Sequence, residues 1–431
     1  MSVPKSPVPP AFLFPGQGAF LESVFGELAA RRPEFGEVFG EVDAAVREAG
    51  LRGPVSPQLF TERPPSLEEL LRDDPDLLQL ALFGTSVAAG HVLLSEGCEP
   101  FALVGHSLGE IAALTVGGAL SLRDGALVVA RRSAALRAAA GRGGLLALGA
   151  GARRVSALVE LLGDPWVVVA VENGPRQAVV SGPDEQLQVI TEIADRLGIP
   201  ATRLRSPHPF HGPLVAEASE TFHRSIRGVR QAPLRAPVFS PICGRYYSDG
   251  DDLAATLASH LTRPVRFLDG LRELHGAGVD VFVECGARDA LSSIAAASLP
   301  DVTTIPCLVE PSPVDSLRGA LGRLTGGGAE LRAVPDEPVR SGLERGAVIA
   351  DLRGLYAAAV EYPVEVFAED VDLEADLGVD SVKQTELLSR VAHRYGLPDR
   401  SEGFRVADHP TLGHVADLVL AHGSAAPAAV A

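Results

Sequence analysis

Several things are scarce in this sequence, and each scarcity excludes something. Only two of its 38 basic residues are lysines (Lys5 and Lys383), no Lys/Arg block occurs anywhere, and the formal charge is −17. Neutralising phosphates needs a basic face, so nucleic acid is not an expected partner. The four cysteines (Cys98, Cys243, Cys285 and Cys307) stand far apart with no CxxC pair. They read as reduced thiols, not as a metal site or a disulfide frame, and point to a cytoplasmic protein. No apolar run approaches the ~18–20 residues of a membrane span. Met1 to Pro10 is proline-rich and lacks an apolar h-region, so no secretory leader is expected. Glycine (45) and proline (33) together stay below the level of a low-complexity chain. What remains is a folded protein of 431 residues, 46% hydrophobic, with room for two or three domains.

From Ala11 to about Leu324 short apolar runs alternate with amphipathic stretches, the pattern of an α/β domain. Ala11–Phe14, Phe101–Val104 and Val279–Val283 read as buried strands, Leu77–Leu94 and Arg123–Ala139 as helices. One block has another rhythm. Strand Gly144–Leu148, helix Arg153–Leu162, paired strands Trp166–Val171 and Gln177–Ser181, helix Asp184–Leu197 and strand Ala201–Leu204 follow the ferredoxin-like order β-α-β-β-α-β. It is expected as an insertion, about 141–205, in a domain spanning 11–327. Residues 328–345 read as a linker. A small block, 346–422, carries fourteen acidic against six basic side chains and reads as a C-terminal helical domain. A disordered tail, 423–431, follows.

Gly105-His106-Ser107-Leu108-Gly109 fits G-x-S-x-G, between an apolar strand and a small-residue helix. That turn strains the serine backbone, exposes the Oγ, and aims the Leu108 N–H at a helix start toward a developing oxyanion. The alternative is a glycine-flanked β-α turn without chemistry. A serine nucleophile needs a base. His106 adjoins it, but its side chain leaves the turn in another direction. His211, in His208-Pro209-Phe210-His211, closes the inserted block and follows the serine, the order found in hydrolase-like sheets. A structural role for this loop histidine stays open on spacing alone.

Phe14-Pro15-Gly16-Gln17-Gly18, Gly105–Glu110, Arg132 and Phe210-His211 occur in the order and spacing of malonyl-CoA:acyl-carrier-protein transacylases and polyketide synthase acyltransferase domains. So do Asn173–Gln177, Pro264–Phe267 and Phe282–Gly286. The chain resembles that family over roughly 11–327. The resemblance implies a hydrolase-like α/β core with an inserted ferredoxin-like subdomain. It also implies that Ser107 is the acylated nucleophile and His211 its base, oriented by a backbone carbonyl near Arg266. Gln17 and Leu108 would supply the oxyanion-hole amides, and Arg132 would hold the free carboxylate of a malonyl group. A planar guanidinium suits a carboxylate, yet the residues alone do not choose between Arg131 and Arg132. In the family a His-Ala-Phe-His segment accompanies malonyl specificity. Here Phe210 is kept while Pro209 and Gly212 depart from the common pattern.

Asp376-Leu377-Gly378-Val379-Asp380-Ser381 resembles the attachment site of acyl carrier proteins, and Val382–Arg394 their second helix. This implies a four-helix, all-α carrier domain bearing 4′-phosphopantetheine on Ser381. The alternative is a plain helix N-cap at Ser381. No segment resembles a ketosynthase. The combined expectation is a free-standing or excised acyltransferase–carrier didomain serving polyketide or fatty-acid type assembly, with antibiotic biosynthesis as one setting. Acyl-CoA, malonyl-CoA foremost, is the expected substrate. A phosphopantetheinyl transferase and a ketosynthase or other synthase components are the expected partners. The competing readings are a hydrolase that clears acyl groups from carriers, and a carrier scaffold with an inactive acyltransferase half. Retention of Arg132 opposes the first, and intact Ser107, His211 and Gln17 oppose the second.

Overall fold

The computed structural model describes residues 8–325 apart from 52, 62, 138–140 and 207. Further on it describes 345–360, 411–422 and the single positions 371, 373, 384, 387, 388, 390, 391 and 395. The chain divides into two compact units, Met1–Val334 and Pro335–Ala431.

The first unit is built on a sheet of β1 (Ala11–Phe14), β2 (Ala102–Gly105), β7 (Val238–Ser240), β8 (Arg245–Tyr246), β9 (Val281–Ala287) and β10 (Thr303–Leu308). The order is β10-β9-β1-β2-β7-β8, all neighbours parallel except the β7–β8 pair. β1, β2 and β9 are buried along their whole length, as expected for strands covered by helices on both faces. β9 begins two residues later than the apolar pattern predicts and runs on through Glu284. That carboxylate is fully buried and accepts the Leu291 and Ser292 N–H groups of the helix Ala290–Ser298. Burial pushes its pKa up to about 7.

The inserted block forms its own sheet from β3 (Gly144–Leu148), β4 (Val168–Gly174), β5 (Gln177–Gly182) and β6 (Ala201–Arg203), ordered β4-β5-β3-β6 and antiparallel throughout. Its helices, Ala152–Leu162 and Asp184–Arg196, bury Val155, Leu158, Leu187 and Ile190 in a separate small core. This is the ferredoxin-like arrangement read from the sequence.

The helix Pro75–Ser95 corrects one expectation. At 21 residues and a mean hydropathy of 1.7 it is long and apolar enough to cross a membrane by length and composition. Gln79, Thr85 and Ser86 break the strict apolar run, yet the average stays high. The fold buries it: 89% of its apolar window lies inside the protein.

In the second unit the helices Arg345–Val360 and Leu412–His422 pack Val348, Leu352, Tyr356, Leu412, Val415 and Val419 around Leu387 and Val391. The rest of the expected four-helix bundle, and Ser381, lie outside the described residues.

Candidate active site

Parallel strands leave a crevice where neighbouring connections diverge beyond their carboxyl ends. Here β1 runs into Pro15-Gly16-Gln17 and β2 into His106-Ser107-Leu108, side by side. Ser107 has φ 55°, a left-handed backbone costly for any residue with a Cβ. The turn is held by His106 N–H donating to the Phe14 carbonyl at 2.8 Å. The flanking glycines are steric necessities. A Cβ on Gly105 would sit 2.1 Å from Glu110 N, and one on Gly109 would sit 1.9 Å from Phe14 O. Gly16 also approaches the same turn too closely for a side chain, since a Cβ there would lie 2.7 Å from the His106 carbonyl and 3.7 Å from Leu108 N. Gln17 and Leu108 thereby line one cavity with Ser107.

His211 enters from the opposite wall, also left-handed at φ 60°. Its Nε2 is 2.7 Å from Ser107 Oγ. Its Nδ1 faces two backbone carbonyls, His260 O at 2.9 Å and Arg263 O at 3.0 Å. The ring thus faces backbone carbonyls, as expected; Arg263 lies three residues before Arg266, and the His260 carbonyl is a second acceptor that the sequence did not single out. Two acceptors at Nδ1 place the proton there and leave the Nε2 lone pair for the serine hydroxyl. Burial, then the Arg132 and His106 charges, drive the His211 pKa down to about 3. The ring is neutral at pH 7 and able to take a proton from Ser107. His106 leaves the turn as expected, with Nε2 2.8 Å from Asn173 Oδ1 and its ring edge-on to Phe267.

The structure separates the two arginines. Arg131 donates to the Ser225 carbonyl. Arg132 is buried in the cavity wall, donates to Gln79 Oε1 at 2.8 Å, and lies over the Phe210 ring at 4.9 Å from its centroid. Among the described residues no carboxylate pairs with it, and burial alone pulls its pKa down to about 10. A buried cation without a counter-ion is costly. The cavity, about 280 Å³, is lined by Ser107, His211, Arg132, Gln17, Phe210 and Gln79, among others. An anionic ligand there would supply the counter-charge that no described residue provides. Gln79 was missed in the sequence reading, although a lone amide in the apolar run Leu77–Leu82 is a visible signal.

A family model described as an acyl transferase domain matches residues 11–307. The chain belongs to this family. A second model, a phosphopantetheine attachment site, matches residues 350–419, so the acyltransferase is joined to a carrier domain with covalently attached 4′-phosphopantetheine. The acyltransferase is 35% identical over 330 residues to the spectinabilin polyketide synthase system protein NorA′ of Streptomyces orinoci, matching 73% of this chain and 8% of that protein. It is 37% identical over 293 residues to polyketide synthase GfsB of Streptomyces halstedii, matching 66% of this chain and 5% of that one. This chain thus spans a small fraction of those relatives' own length. In structure it resembles the acyltransferase domain from the second module of the salinomycin polyketide synthase, with TM-score 0.67 and 33% identity over 79% of this chain and 80% of that one. The malonyl CoA-acyl carrier protein transacylase of Coxiella burnetii gives TM-score 0.66 and 26% identity, over 74% of this chain and 99% of that one.

The depressed pKa gives a direct check. An NMR titration of the His211 ring should find it neutral from about pH 8 down to pH 5, below the ordinary imidazole value of about 6.5. A midpoint near 6.5 would contradict the geometry.

Proposed function

We propose that the acyltransferase moves a malonyl-type group from coenzyme A through an acyl-serine at Ser107 to a carrier thiol, within polyketide or fatty-acid type assembly. The observation that carries this reading is the Arg132 guanidinium, buried without a carboxylate partner among the described residues, in the same cavity as the Ser107–His211 pair. A hydrolase or transferase handling neutral acyl groups has no use for a buried cation there.

On this reading His211 Nε2 takes the Ser107 proton as Oγ attacks the thioester carbonyl. The Gln17 and Leu108 N–H groups receive the oxyanion. His211 then returns the proton to the departing coenzyme A sulfur. In the second half His211 deprotonates an incoming thiol, the thiolate adds to the ester carbonyl to form the new thioester bond, Ser107 leaves as the alkoxide, and the imidazolium reprotonates it. The 4′-phosphopantetheine group, when attached, supplies that thiol. Arg132 pairs with the malonyl carboxylate, which also offsets the positive charge that lowers the His211 pKa, so the base strengthens once substrate is bound. Phe210 is buried beneath Arg132, where it would crowd a substituent on the α-carbon of an acyl group whose carboxylate Arg132 holds, which supports an unsubstituted malonyl group.

We assign residues 11–327 to the acyltransferase domain, 328–345 to the linker and 346–422 to the carrier, with Ser381 as the attachment residue. A phosphopantetheinyl transferase would act on Ser381, and ketosynthase or other synthase components would draw on the loaded carrier. The four unpaired cysteines agree with a reducing, cytoplasmic setting.

Arg132→Ala should lower transfer from malonyl-CoA by about 1.5–3 kcal/mol, the worth of a charged hydrogen-bonded pair, and spare transfer from acetyl-CoA. Equal losses for both substrates would make Arg132 a structural residue. Coexpression with a broad-specificity phosphopantetheinyl transferase should add one pantetheine mass to the wild-type chain and none to Ser381→Ala. An unmodified wild type, or a modified Ser381→Ala, would defeat the carrier assignment.

A further inference from the structure

Behind the Ser107–His211 pair lies a buried polar cluster that the proposed mechanism does not use. Glu110, the second residue of the helix Gly109–Val116, has no exposed surface. Its Oε2 accepts the Tyr247 hydroxyl at 2.9 Å and lies 3.6 Å from His260 Nε2. The Tyr247 hydroxyl is in turn 3.2 Å from the same imidazole nitrogen. Tyr247 and His260 are themselves buried. Polar groups in a core are costly unless they meet partners, and here the three meet one another through Glu110 Oε2, while Glu110 Oε1 is buried without a hydrogen-bond partner among the described residues. Burial raises the Glu110 pKa to about 8 and lowers that of His260 to about 3, so both are neutral near pH 7.

The cluster touches both halves of the pair. Glu110 belongs to the turn that carries the serine, its N–H donating to the Ser107 carbonyl at 3.0 Å. His260 contributes one of the two carbonyls that accept the His211 Nδ1 proton. One hydrogen-bonded group therefore spans from the nucleophile's turn to the carbonyl that fixes the tautomer of the base. Residues 110, 247 and 260 have no other contact with the cavity, whose lining includes none of them.

We propose that Glu110, Tyr247 and His260 act as positioning residues, holding the His260 carbonyl against His211 so that the Nε2 lone pair stays aimed at Ser107. The proposal rests on the reading of Ser107 as nucleophile and His211 as base. It requires that loss of the cluster loosens alignment and leaves binding of the acyl-CoA untouched.

Tyr247→Phe tests it with the smallest change, removing one oxygen from an otherwise intact core. The full chain is followed by single-turnover acyl-enzyme formation from malonyl-CoA and by the downfield proton NMR resonance of His211 Nδ1–H. The acylation rate should fall roughly tenfold or more, since small misplacements of reacting groups have effects of that order. The KM for malonyl-CoA should stay within about twofold and the resonance should shift or broaden. Glu110→Gln, which keeps a neutral hydrogen-bonding side chain, should recover most of the rate lost in Glu110→Ala. A Tyr247→Phe chain with wild-type rate and wild-type resonance would overturn the proposal. So would a rate loss that tracks the folded fraction while the resonance does not move. A wild-type chain that forms no acyl-enzyme would instead defeat the reading of Ser107, and the resonance would still decide whether the cluster positions His211.

Discussion

The site depends on one backbone constraint, the left-handed turn at Ser107. A side chain at φ 55° is tolerated only where the surroundings over-determine it. Here glycines on both flanks let the Phe14 carbonyl and the start of the next helix close in. The turn holds the serine Oγ against a histidine that reaches it from the far side, also from a left-handed backbone. Two strained residues facing each other at 2.7 Å require a stiff frame, which the parallel β1, β2 and β9 provide.

Electrostatics in the cavity follow from burial. Burial holds His211 neutral and poised to accept a proton, while Arg132, buried as well, keeps its charge and has no carboxylate partner among the described residues. The two effects are linked. The arginine helps depress the histidine, and an anionic substrate that neutralises the arginine relieves that depression. The Phe210 ring under the guanidinium supplies only a partial offset through its π face. The cavity is therefore best matched by a ligand that brings its own carboxylate.

Much of this was legible in the residues, and the limits have physical reasons. β1 and β3 fall on the predicted residues because each is a short apolar run bounded by glycine or proline. The ferredoxin-like insertion was legible because its helix and strand periods alternate cleanly. The apolar pattern ends β9 at Val283, four residues short of Ala287, because a buried Glu284 looks like the end of a strand until its helix amides are seen. β7 and β8 are three and two residues long, one set between Pro237 and Pro241, and carry no periodic signal. At the site, Ser107 was marked by its glycines and His211 only by its place after the insertion. Arg132 could not be told from Arg131 without the family pattern, since one position on a helix decides between a cavity and a carbonyl at Ser225. The carbonyls of His260 and Arg263 leave no trace in side-chain chemistry at all.

The central claim is that acyl transfer passes through a covalent ester at Ser107 of this cavity. Its most direct test is peptide-level mass spectrometry of the chain quenched within one turnover of malonyl-CoA. The account predicts a malonyl increment on the peptide containing Ser107, lost in Ser107→Ala while the fold is retained. A carrier that becomes malonylated with no acyl group ever found on Ser107, or an increment that persists on the acyltransferase domain of Ser107→Ala, would contradict it.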